Sequence, residues 1–226
     1  MKGSGRRWEF DHQNQPYLKL KELLPDRNLA EHLMQLYFLT FEYTLRILHV
    51  PSFLAEWNAF WNQMESHPDR PLSSDVFLAK LYVLMACAGC FATGEKLASA
   101  GLNEKSFMQM CHGWIEAVTT WLGVMTNHAQ LRLDIIQIKC LLLLAKQGAA
   151  WEGDLTSLDA GSLIREAILM GLHRDPSNFP HLSPYWIEMR KRLWLTIIEL
   201  ELQVSLYNGV PLAISWDEFD CPPPSN

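Results

Sequence analysis

The sequence predicts an all-α protein, with stacked antiparallel helix pairs forming one irregular helical domain. Three observations lead there. Apolar residues recur at helical spacing in one segment after another, and no segment sustains the period-two alternation of a strand. N-cap residues and Gly or Pro stops bracket the periodic runs. With 226 residues the chain fits a single domain. A chain of that size can bury roughly 70% of its unfolded surface.

Taken in order, residues 1–23 are polar, mixed and without period, and read as a linker or a disordered N-terminal segment before a domain at 24–226. Asp26 is placed to cap a long helix reaching about Leu48, with Leu29, Leu33, Leu36, Tyr37, Phe41 and Leu45 on one face. His49-Val50-Pro51 is expected to break it, because proline pushes the preceding residue out of helix space. Ser52 then caps a short aromatic helix from Phe53 to Met64, and residues 65–74 have loop composition. Ser74 opens a third helix to about Ala92 that is apolar almost all round, which implies central burial. Gly94–Gly101 reads as a connection. Asn103 or Ser106 caps a helix to about Thr126, and another runs from Leu131 to Lys146, stopped by Gly148. Residues 149–157, with Trp151 to Asp154, read as a helix-to-helix turn.

Two amphipathic helices follow from Gly161 onward. In the first, Leu163, Ile164, Ala167, Ile168 and Met170–Leu172 form the apolar stripe, while Arg165 and Glu166 take the wet side. Gly171 and the later Pro176 mark its end. The second starts at the N-cap Ser183 with Pro184 at the first helical position, where the missing N–H costs nothing. It directs Leu193, Trp194, Ile197, Ile198, Val204 and Leu206 inward, and stops at Asn208-Gly209 with Pro211 beyond.

Composition excludes several function classes. A formal charge of −6, with 25 acidic against 19 basic residues, leaves no electrostatic footprint for nucleic acid. The chain alone is therefore expected not to bind DNA. Five cysteines, odd in number and mostly in apolar helical stretches, suit a reducing compartment. The N-terminus lacks the apolar core of a secretory signal, and no apolar run reaches the roughly 18 residues of a spanning helix. A soluble intracellular protein without membrane contact is expected.

The candidates for chemistry each meet a plainer reading. Cys87 and Cys90 have redox or zinc spacing, but no second ligand pair accompanies them and Met85, Ala86, Ala88 and Phe91 surround them; helical core is preferred. His173-Arg174-Asp175 has no nucleophile tied to it and reads as a network at a helix terminus. Arg190, Lys191 and Arg192 point about 100° apart on a helix, so they form no single patch. One of them is expected to reach back to the acidic network, and Glu188 with Arg192 is spaced for an i,i+4 pair. Trp57, Trp61, Trp114, Trp121, Trp151 and Trp194 read as core in preference to a ligand pocket. No phosphate loop, nucleophile elbow or His-Glu-x-x-His motif is present, so no enzyme machinery is visible.

The order of these residues resembles the fungal-specific transcription factor domain, the middle regulatory region of fungal binuclear zinc-cluster factors. The resemblance is carried by Gly161, Arg165, Ala167, Gly171, Leu172, His173, Arg174, Asp175, the stretch Arg190–Trp194 with Arg192 inside it, Ser205, Gly209 and Pro211. The opening Leu24–Trp57 and the ending Phe219-Asp220 with Pro223-Pro224 extend it over nearly the whole chain. The resemblance implies a nuclear regulator of transcription. Its DNA contacts would lie in a separate zinc module, so no cofactor belongs to this chain, and its partner would be a metabolite or a regulatory protein. The chain departs from the pattern at Trp194-Leu195, Glu201-Leu202 and Gly209-Val210-Pro211, where relatives often have Trp-Trp, Asp-Arg and Gly-Arg-Pro; loss of the Arg removes an ion-pair partner from the salt-bridge network the resemblance implies. Two other readings keep the scaffold: a stand-alone small-molecule binder or pocket enzyme, and an interaction scaffold that pairs with full-length regulators. Relatives also continue beyond this point, so an open apolar face and self-association are expected, on the third helix and on the helix carrying Leu141–Leu144.

Overall fold

A computed structural model describes residues 23–66, 75–92, 94–124, 131–149 and 156–225. Nearly all of the expected linker, the Ser74 cap and the Trp151–Asp154 turn lie outside these residues. The described residues are mostly helical and contain no strand.

Helix α1 (Arg27–Tyr37) starts where Asp26 accepts hydrogen bonds from the amides of Asn28 and Leu29. It does not run unbroken to Leu48. A π-helical turn at Phe38–Glu42 and one α turn at Tyr43–Leu45 follow, and Arg46 ends the run in the left-handed region with φ 49°. Helix α2 (Val50–Ser66) then begins earlier than the proline rule suggests. Pro51 lies in its first turn, where an absent N–H is harmless, and Ser52 is inside the helix with its hydroxyl on His49 Nδ1 at 2.7 Å.

Helix α3 (Asp75–Gly89) is buried from Phe77 to Gly89. A short helix α4 (Gly94–Ser99) stands where a plain connection was expected. Helix α5 (Glu104–Gly123) is capped by Asn103, which accepts from Ser106 N. Helix α6 (Leu133–Gly148) carries Leu141–Leu144 and Ala145, all buried. Helix α7 (Thr156–Leu169) starts five residues before Gly161, which lies within it. Helix α8 (Pro184–Asn208) ends at Gly209, whose φ of 64° is one that residues with a side chain rarely adopt.

α3 is the hub of the packing: α6, α5 and α1 lie against it, and α8 with α7 packs on α6. The apolar character of α3 and α6 is thereby consumed in the core, and the open face expected on them is absent. Large exposed apolar side chains occur elsewhere, at Leu206, Tyr207 and Trp216. Leu206 was expected inside, but the buried line of α8 runs Leu193, Ile197, Leu200, Val204. Two residues beyond Val204 the helix has turned about 200°, toward solvent. No helix among the described residues is long and apolar enough to cross a membrane.

Candidate functional site

The motif residues from Gly171 to Asp175 form the corner between α7 and α8, and the C-terminal segment folds over it. Gly171 takes φ 68°, the left-handed turn that ends α7. Arg190 from α8 reaches this end: its Nη2 donates to Met170 O at 2.7 Å and its guanidinium lies 5.7 Å from the Phe179 ring. The basic triplet thus sends Arg190 back to a helix-terminal carbonyl, while Lys191 is the member whose charge acts on Asp175 of the acidic network. Arg192 instead pairs with Glu188 at 2.9 Å on its own helix.

The carbonyl of His173 accepts from both Asp220 N and Cys221 N at 3.1 Å. Asp220 Oδ1 accepts in turn from Asp175 N, and Arg174 faces Asp220 at 3.6 Å. Asp175 caps a short 3-10 turn through Ser177 N, and that bond holds its carboxyl below the usual range. Burial, with Arg174 beside it, lowers the pKa of His173. The His173 ring packs against Trp194, which also meets Phe219 edge-on at 5.6 Å. Leu172 and Trp194 are both buried. Arg165 is exposed, while Glu166, expected on the wet side, is half-buried and bonded to Lys139 at 2.6 Å.

Gly161 sits against the tail, where an added Cβ would lie 3.9 Å from Ala213. At the far end of α8 the buried Glu201 accepts from Ser205 Oγ and from Ala213 N. The Gly209 amide closes the helix on Ser205 O, and Pro211 is exposed. Within the motif, Arg190 ties α8 to the end of α7, and the His173 carbonyl ties that corner to the tail.

Besides Glu201, two charged residues that carry no motif are buried. Glu42, at the end of the π turn, accepts from Tyr37 Oη and Leu48 N at 2.9 Å. Burial raises its pKa to about 7, against the opposing pull of those bonds and of Arg192. Lys80 lies in the middle of α3 with its side chain 8% exposed. It borders a cleft of about 710 Å³ that opens between α2, α3, the start of α6 and the first half of α8. Met170, Met189 and Leu193 line the same cleft, so the residue that precedes the motif corner and the first half of α8 form one of its walls. The sequence signal for both residues was a lone charge inside an apolar run.

Of the aromatic set, Trp57, Trp61, Trp114, Trp121 and Trp194 are core residues, and Trp151 lies outside the described residues. Cys87 is buried with its thiol on Leu141 O, and burial pushes its pKa up. Among the described residues no group of three or more His, Cys, Asp or Glu is placed to hold a metal ion.

Comparison with known proteins bears on this geometry. Residues 34–226 match the model of the family described as the fungal specific transcription factor domain. Transcription factor lepE of Aspergillus flavus is 37% identical over 203 residues, covering 90% of this chain and 23% of the relative. Transcription factor opdR of Penicillium oxalicum is 35% identical, over 94% of this chain and 25% of its own length. The Zn(2)-C6 fungal-type transcription factor pigI of Monascus ruber is 28% identical, over 92% and 24%. The chain thus spans about a quarter of the length of the curated relatives it matches. No solved structure matches it.

Proposed function

The chain belongs to the fungal-specific transcription factor domain family, and from that membership we propose that it is the middle regulatory region of a factor controlling transcription by RNA polymerase II. The regulatory domain occupies residues 24–226, acts in the nucleus, and depends on a separate zinc module for DNA contact. The family match over 34–226 is the observation that carries this reading. Two others support it. One relative is named as a Zn(2)-C6 factor, and this chain corresponds to about a quarter of it. The formal charge of −6 also opposes direct phosphate contact.

A regulatory domain needs two arrangements whose balance a signal can shift. The corner where Arg190 holds Met170 O and His173 O holds the tail is where this chain would carry them. The test is a reporter driven by a heterologous zinc-cluster module and activation segment, joined either by this chain or by a flexible spacer of equal length. Reporter output that differs several-fold between the two, at equal protein level, supports regulation. Equal output refutes it.

A further inference from the structure

Lys80 breaks an otherwise apolar buried stretch of α3, and its position is not explained by a good ion pair. Its charged neighbour among the described residues is Glu56, with Nζ to Oε2 at 3.8 Å. That is longer than a hydrogen bond, and the Glu56 side chain is 47% exposed. An ammonium has three N–H donors and is costly to bury unless they are used. Here the Lys80 side chain borders a cleft of about 710 Å³, a volume in the range of small-molecule sites. Phe53, Phe60, Phe77 and Leu193, each almost wholly buried, line the rest of it.

We propose that this cleft binds an amphipathic monocarboxylate, with its carboxylate on Lys80 and its apolar body along Phe53, Phe60 and Phe77. A carboxylate gives the ammonium the short charge-assisted bonds that Glu56 does not supply. Glu56, half in solvent already, yields its place at little cost. A second negative charge on the ligand gains little, because Arg132, which also lines the cleft, is already bonded to Asp134, and Glu56 stands beside Lys80. Met170 and Met189 complete the wall with unbranched, adaptable side chains, which suits an apolar body of variable shape. A regulatory consequence of binding would rest on the transcriptional reading above; binding itself does not, and is measured on the chain alone.

The experiment is calorimetric titration of the 226-residue chain with decanoate and 2-naphthoate below their aggregation limits. Decanamide and 2-naphthamide serve as uncharged counterparts. One saturable site per chain is expected for at least one acid, binding about tenfold or more tighter than its amide. Lys80→Met should remove that preference and leave the amides within about twofold. Glu56→Gln should tighten acid binding about threefold or more, by removing the competing carboxylate. Absence of saturable binding by both acids overturns the proposal, as does equal affinity of acid and amide, or an unchanged preference in Lys80→Met. Should Lys80→Met fail to fold by circular dichroism, the acid-to-amide ratio and the Glu56→Gln response decide.

Discussion

Glu42 makes the stability of this fold depend on pH in a direction opposite to that of most carboxylates. Its pKa rises from an ordinary 4.5 to about 7, chiefly because burial penalises the charged form. Below about 4.5 the carboxyl is protonated in both folded and unfolded chains and costs nothing. Between about 4.5 and 7 the unfolded chain ionises while the folded one keeps its proton, so stability falls as pH rises. Above about 7 the full difference applies, on the order of 3 kcal/mol. Glu42→Gln keeps the shape and an acceptor oxygen for Tyr37 Oη or Leu48 N, but cannot ionise. Other groups titrate in the same range, so the quantity to measure is the stability of Glu42→Gln minus that of the parent. Urea unfolding followed by circular dichroism at pH 4.5, 6 and 8 supplies it. The difference should grow by roughly 2–3 kcal/mol toward high pH. A difference that stays constant, or shrinks, refutes the reasoning.

Three further outcomes are expected. Trp194→Ala, which empties a buried site between His173 and Phe219, should cost about 3–5 kcal/mol in thermal or urea unfolding; a mutant that melts like the parent contradicts the packing. Arg190→Met keeps the stem but loses the bond to Met170 O and the contact with Phe179, and should cost about 2 kcal/mol; Arg190→Lys should recover less than half of that in the urea midpoint, because an ammonium cannot both stack and reach. Iodoacetamide labelling read by peptide mass spectrometry should modify the exposed Cys90 first, with Cys87 and Cys140 protected until the chain unfolds.

The caps were the most legible part of the fold. Asp26, Asn103, Gly171 and Gly209 act through local chemistry that neighbours do not override, and each stands at a helix end. The burial of α3 was legible for a similar reason, since a helix without a polar face has nowhere else to go. The break after α1 was not, because arginine seldom adopts the left-handed region that Arg46 holds, and Pro51 offered a more ordinary cause. The start of α7 was missed because Gly161 looked like a boundary, whereas its lack of a side chain serves contact with Ala213. Glu42 and Lys80 were hidden for a different reason. In sequence, one charge in an apolar run marks the wet side of a helix, and only the three-dimensional packing shows that α3 and the π turn after α1 have no wet side at those positions. The motif residues were legible as a set; that Arg190 serves the α7 terminus and Asp220 the His173 loop depends on contacts 20 and 45 residues apart.

In the role proposed above, this chain acts on transcription without touching DNA itself. Fluorescence anisotropy of a labelled promoter duplex, titrated with the purified chain across a range of salt concentrations, tests that most directly. No saturable rise in anisotropy is expected even at low salt, because a chain of formal charge −6 is repelled by the phosphates. Saturable binding that weakens steeply as salt is raised would contradict it.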